Sequence, residues 1–119
     1  MYSPQVLDHF EHPRNSGELA GASACALVEN PACGDVLELA IKVDNGKITV
    51  ARFRVRGCVA SVACASKLTE EVVGKSMNEA QQVKAEALVE SLGGLPQGSS
   101  HAGDLAVDAL MAALRQLPT

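Results

Sequence analysis

Hydrophobic and polar side chains alternate cleanly over residues 36–43. Leu37, Leu39, Ile41 and Val43 share one face, and Glu38 and Lys42 share the other. A period of two marks a half-buried strand. Asp44-Asn45-Gly46-Lys47 follows, and Asn-Gly accepts the positive φ of a tight hairpin turn. The return strand, residues 48–56, turns Ala51, Phe53 and Val55 inward and Arg52, Arg54 and Arg56 outward. Ile48 and Val50 are out of phase with that set, which predicts a bulge near Val50-Ala51. Residues 25–29 read as a further short strand.

From Val59 the period lengthens to that of a helix. Val59, Val62, Ala63, Ser66 and Val73 fall on one side of a helix that stops near Gly74. Ser76-Met77-Asn78-Glu79 has the form of a capping box and starts another helix. Residues 85–92 predict a short helix halted by Gly93-Gly94. After a loop over 95–100, a last helix spans about 101–117. Its buried stripe is Leu105, Ala106, Ala109, Leu110, Ala113, Leu114 and Leu117. Ser99 or Ser100 can cap it, and Asp104 suits its first turn.

Residues 1–24 begin with a short helical pattern in which Val6, Leu7 and Phe10 form the apolar stripe. Pro13, Gly17 and Gly21 then interrupt regular structure. This segment reads as a loosely docked, mobile N-terminal arm, with His9 and His12 solvated. There is no internal repeat, so residues 1–119 form one domain. Strands come first and helices follow. The predicted class is α+β, a small three-stranded antiparallel sheet with helices packed on one face.

Composition narrows the function. Hydrophobic residues make up 47% of 119, enough for a core, but aromatic residues are only 3%. Ala, Val, Leu and Ile must therefore fill the interior. The net charge of -4 excludes a general nucleic-acid binder, which needs a basic face for phosphates. No stretch approaches the ~20 apolar residues of a membrane span. Met1-Tyr2-Ser3-Pro4 leads into no basic-then-apolar run, so a reducing, cytoplasmic setting is expected. There, the four cysteines read as metal-binding or catalytic before they read as disulfides. No Gly-x-Ser-x-Gly and no phosphate-binding glycine loop occurs, and nothing points to an enzyme.

The chemistry concentrates in two places. In Asn30-Pro31-Ala32-Cys33-Gly34-Asp35, a tight turn at Gly34 can aim the Cys33 sulfur and the Asp35 carboxylate at one point. In Gly57-Cys58, the cysteine stands where strand gives way to helix. A helix N-terminus acidifies a thiol, and the thiolate is the form that binds metal or sulfur. Two cysteines and an aspartate suggest an open metal site. Cys64 lies six residues past Cys58, about 240° around a helix, and is expected in the core. Cys25, within a strand, is expected to be buried or incidental. The Arg52, Arg54 and Arg56 stripe reads as the wet face of a strand, with a role in steering an acidic partner as the alternative.

These residues resemble the IscU/NifU N-terminal type of iron–sulfur cluster assembly scaffold. Tyr2-Ser3, Asp8-His9-Phe10 and Pro13-Arg14-Asn15 are similar to its opening. The segment 30–35 is similar to its first cysteine loop. Phe53 through Gly57-Cys58, with Ala63, Ala65-Ser66 and Thr69-Glu70, is similar to its second. Gly74-Lys75-Ser76, Glu79-Ala80, Leu95-Pro96, His101, Leu105-Ala106 and Asp108-Ala109 continue the likeness in order.

The resemblance implies a non-enzymatic scaffold that assembles a transient [2Fe–2S] cluster. It implies that sulfur comes from a cysteine desulfurase and that the cluster goes to iron–sulfur acceptor proteins. Cys33, Asp35 and Cys58 would be ligands. The family's third cysteine follows a histidine, but here the residue after His101 is Ala102, which has no donor atom. The Leu-Pro-Pro-Val-Lys stretch of part of the family reads Leu95-Pro96-Gln97-Gly98-Ser99, which leaves a dedicated chaperone without its motif. Cys33, Asp35, Cys58 and His101 together still offer four donors, a set that suits zinc or a weakly held cluster. Two alternatives follow from Ala102. One is a zinc-bound regulator or partner of a desulfurase with no cluster assembly of its own. The other is an engineered or diverged variant with a disabled site. Separately, three or fewer good donors per chain invite a homodimer that bridges one cluster.

Overall fold

The computed structural model describes residues 1–31 and 33–118; Ala32 of the first cysteine loop and Thr119 lie outside the described residues. Three antiparallel strands, β1 (Ala24–Glu29), β2 (Val36–Asp44) and β3 (Lys47–Arg56), form a sheet in the order β1-β2-β3. The hairpin is the one the sequence predicts. Asp44 pairs with Lys47, and the two-residue turn holds Asn45 at φ 54° and Gly46 at φ 76°. Both angles match the primed turn that follows a sheet's natural twist. The bulge is slightly displaced from its predicted place. Lys42 pairs with Val50 and Val43 with Ile48, so Thr49 is the extra residue. Its one hydroxyl proton is shared between the Lys42 carbonyl at 3.3 Å and Asp44 Oδ2 at 3.2 Å.

Among the described residues, five α-helices accompany the sheet: α1 (Pro4–Glu11), α2 (Val59–Val72), α3 (Met77–Ala80), α4 (Ala85–Ser91) and α5 (His101–Arg115). α5 packs on β1 and β2, α2 packs on β3, and both lie on the face that carries Leu37, Leu39, Ile41, Ala51 and Phe53. The predicted α+β arrangement is the observed one. Each fully buried leucine or isoleucine contributes about 1.5–3 kcal/mol of transfer free energy. Small residues do the rest, since Ala60, Ala63, Ala106, Ala109 and Ala113 let the two helices approach closely. At Gly103 a Cβ would stand 2.6 Å from Val89 Cγ2, so α4 meets α5 at a glycine.

α2 departs from the one-sided stripe expected of it. Ala60, Ser61, Ala63, Cys64, Ala65, Ser66, Leu68, Thr69 and Val72 are all buried, because α1, α4, α5 and β3 surround the helix. Val73, assigned to the stripe, is exposed at the helix end, and Gly74 follows in the left-handed conformation.

The N-terminal arm lies along α2. Ser3 caps α1, accepting from the Val6 amide and donating to the Leu92 carbonyl. The inward residues are Val6 and His9, whereas Leu7 and Phe10 are 42% and 40% exposed. Three residues along a helix return nearly to the same side, and one residue does not. His9, expected in solvent, is therefore 7% exposed. Its Nδ1 is 2.8 Å from Ser66 Oγ, and that oxygen accepts the Arg14 amide at 2.8 Å. On the other side of the ring, Nε2 is 3.4 Å from Glu70 Oε1. Burial, reinforced by Arg14 and opposed by Glu70, lowers the His9 pKa and favours the neutral ring.

Candidate functional site

Three chain segments meet at the end of the sheet away from the hairpin. The first is the turn into β2. Gly34 takes φ 77°, and Asn30 accepts the Gly34 amide while donating its own to the Asp35 carbonyl. Cys33 and Asp35 are thereby placed on either side of a left-handed residue, and Cys33 is exposed. The second segment is the junction of β3 with α2, where Cys58 is the N-cap residue. The third is the start of α5. A single 3₁₀ turn, Gln97–Ser99, runs directly into His101. Ser100 occupies the N-cap but does not cap with its side chain; its hydroxyl bonds the Gln97 carbonyl instead.

The aspartate ties two of these segments together. Asp35 is 7% exposed. Its Oδ2 accepts the Cys58 amide at 3.3 Å and the Ser61 hydroxyl at 2.7 Å. A carboxylate from another loop thus does at the start of α2 what a capping-box glutamate does within its own helix. Gly57 makes room for it, since a Cβ there would lie 2.5 Å from Asp35 Cγ and 2.8 Å from either carboxylate oxygen. Burial on its own would raise the Asp35 pKa. Hydrogen bonds from Ser61, from the Cys58 thiol and amide, and from the Cys33 thiol outweigh burial and hold the carboxyl below the usual range.

A ligand atom from each of Cys33, Asp35 and His101 lies within 4.8 Å of the other two. Among the described residues this is the one such group of three or more potential metal donors. Bonds from zinc to nitrogen, oxygen and sulfur run about 2.0–2.3 Å, so one ion can touch all three with small side-chain adjustments. His101 Nε2 is buried and has no hydrogen-bond partner. An orphaned buried nitrogen costs about 1–3 kcal/mol, which a metal or a proton acceptor would offset. Cys58 joins through Asp35 and does not share the mutual 4.8 Å spacing. Its amide donates to the Asp35 carboxylate, and its sulfur is 3.4 Å from Ser61 Oγ. The structure therefore brings the four sequence-predicted residues to one place, with Cys58 on its margin. Two sulfurs, one carboxylate and one imidazole are a chemically sensible set for zinc or for iron and sulfide.

The other cysteines stand apart. Cys64 is fully buried, and burial, with a smaller contribution from Cys58, has its pKa pushed up to about 12. A thiol in that state is a core side chain. Of the two expectations for Cys25, buried or incidental, the first is not met: it is exposed, because odd positions of β1 face away from the helices. Gln116 pairs with it as a strand would, accepting its amide at 3.1 Å and donating to its carbonyl at 2.8 Å. Ala102 is 1% exposed and belongs to the core. Ser61 was missed from sequence. Its one signal was a hydroxyl amid the small residues of a helix start.

Comparison with known proteins gives the family. The NifU-like N-terminal domain model matches residues 1–119. The chain belongs to that family. A member from Escherichia coli strain K12, named as the iron–sulfur cluster assembly scaffold protein IscU, is 44% identical over 117 residues, spanning 95% of this chain and 91% of that protein. One of two Archaeoglobus fulgidus proteins with the same scaffold name is 42% identical over 114 residues, spanning 96% and 74%. In fold, the N-terminal NifU-like protein of Brucella abortus superposes with a TM-score of 0.79, at 20% identity, over 97% of this chain and 92% of that one. The NifU-like fold thus carries the Cys33, Asp35, Cys58 and His101 corner, and none of its described helices is long and apolar enough to cross a membrane.

Proposed function

We propose that this NifU-like domain is a scaffold on which a [2Fe–2S] cluster is built and from which it is passed on. Cys33, Asp35, Cys58 and His101 are its ligands. One observation carries the reading: donor atoms of Cys33, Asp35 and His101 stand within 4.8 Å of one another, beside a histidine nitrogen left without a partner. Relatives above 40% identity that carry the scaffold name support the same reading.

The donor set fits cargo better than a permanent metal. Thiolates hold iron well, whereas a carboxylate is a harder and weaker ligand for it. A structural site would favour more cysteines. Sulfur reaches the site on an exposed thiolate such as that of Cys33, supplied by a cysteine desulfurase. An external reductant brings it to sulfide as iron enters. The cluster then leaves by exchanging these ligands for those of an acceptor protein, with the Asp35 corner opening first. Ala102 offers no sulfur, so His101 takes the remaining position. The chain itself turns over no substrate.

Anaerobic incubation with iron and sulfide tests the proposal. The expected product is a visible sulfur-to-iron charge-transfer spectrum that is lost in Cys33→Ser and Cys58→Ser. Native mass measured in parallel reports whether one chain or two hold each cluster. A colourless protein with intact thiols that keeps zinc against iron would favour the desulfurase-regulator alternative.

A further inference from the structure

We propose that Ser61 is a positioning residue for this site: its hydroxyl fixes Asp35 as a ligand through one oxygen, Oδ1. Ser61 is the third residue of α2 and is 2% exposed. Alanine would fit a helix that already carries Ala60, Ala63 and Ala65, and it has the higher helix propensity. A buried hydroxyl is costly unless it is bonded. Here it has one short bond, 2.7 Å to Asp35 Oδ2.

The directions of the bonds settle which oxygen remains. A carboxylate can only accept, so the Ser61 proton goes to Oδ2. The Cys58 amide ends on the same oxygen at 3.3 Å. Oδ2 is thus bound to the start of α2, and Oδ1 is left for the ligand side. Gly57 backs the carboxylate so closely that no side chain fits behind it. The Cys58 sulfur lies 3.4 Å from the same hydroxyl. The Cys58 thiol has a single proton and can give it to Ser61 or to the Asp35 carboxylate, not to both. Once Cys58 is a thiolate, the Ser61 proton has two anionic acceptors and can serve one at a time. Ser61 therefore couples the Asp35 corner to the Cys58 corner. A carboxylate limited to one oxygen makes a weaker and more sharply directed ligand than one free to use two.

The inference rests on Asp35 as a ligand, as read above, and does not require cluster assembly. The test uses the full chain and zinc alone. Outer-shell partners typically alter metal affinity by about 10–100-fold, and Ser61→Ala is expected to change zinc affinity by about 10-fold or more. In zinc-loaded protein with ¹³C-labelled aspartate, it should also narrow the spacing between the antisymmetric and symmetric carboxylate stretches, the signature of two-oxygen binding. Ser61→Thr should restore both readouts. In an Asp35→Asn background, Ser61→Ala should add nothing. Gly57→Ala, which displaces the carboxylate without altering α2, should disturb the same stretches, and it keeps the test open if Ser61→Ala does not fold. Unchanged zinc affinity and an unshifted stretch in Ser61→Ala would overturn the proposal. So would an equal effect of Ser61→Ala with and without the Asp35 carboxylate. A protein that builds no cluster yet shows this Ser61 dependence would refute the assembly reading and uphold the inference.

Discussion

The two ends of the β2–β3 ribbon are built on different terms. At the hairpin end, backbone groups find partners within regular structure. Ile48 donates to the Lys75 carbonyl and accepts the Gly74 amide, and Ser76 and Glu79 close a reciprocal capping box. At the cysteine end, by contrast, side chains with metal affinity face one another, and the His101 Nε2 nitrogen is left unpaired. One end resolves its polar groups internally. The other holds some in reserve, as expected where function overrides local consistency. Asp35 belongs to both worlds, because its Oδ2 accepts the Cys58 amide at the start of α2 and its carboxylate lies among the donors.

Substitutions can break or sharpen this contrast. The largest effect is expected at the hairpin end. Ile48→Ala removes a fully buried side chain and should cost about 2–5 kcal/mol in urea unfolding, with zinc affinity unchanged. A matching loss of zinc binding would mean that the two ends are not independent.

Asp35→Ala should follow. It leaves the Cys58 amide and the Ser61 hydroxyl without an acceptor, a cost of roughly 1–3 kcal/mol, and unlike Ile48→Ala it should also weaken zinc binding. Acid titration gives the same residue a sign. Its folded pKa is depressed, so its contribution is complete above the ordinary carboxyl value of about 4. That contribution is lost as pH falls through the lower folded value. Melting curves of Asp35→Asn between pH 6 and 3 should lack this component.

Ser76→Ala removes the capping hydroxyl that accepts the Glu79 amide, for about 1 kcal/mol, and should leave the donors untouched. The smallest effect concerns the arm. Burial lowers the His9 pKa below its usual value and favours the neutral ring where it docks against Ser66. The unfolded chain therefore takes up the proton first, and stability should decline as pH falls below about 6.5. His9→Asn should flatten that slope in a thermal melt.

Much of this was legible in the sequence where a pattern is local. Alternation located β2, Asn45-Gly46 located the hairpin, and Ser76 with Glu79 located the start of α3. What was hidden depends on neighbours far along the chain. α2 shows a weak stripe because helices and sheet enclose it on several sides, so periodicity could not assign its buried face. His9 looked solvated because its partner, Ser66, is 57 residues away. The bulge was misplaced from Thr49 because both phases of β3 carry apolar residues. At the site, glycines flanking Cys33 and Cys58 and the family likeness supplied the candidates. Their convergence, the reason for Gly57 and the part played by Ser61 required coordinates.

The central claim is that Cys33, Cys58, Asp35 and His101 serve one centre. Titration with Co(II), read by sulfur-to-cobalt charge-transfer absorption, tests it most directly. The expected spectrum has the intensity of two thiolates on one ion. Cys33→Ser or Cys58→Ser should halve it, and Cys25→Ser or Cys64→Ser should leave it unchanged. Full intensity surviving both Cys33→Ser and Cys58→Ser, or its loss in Cys64→Ser, would contradict the account.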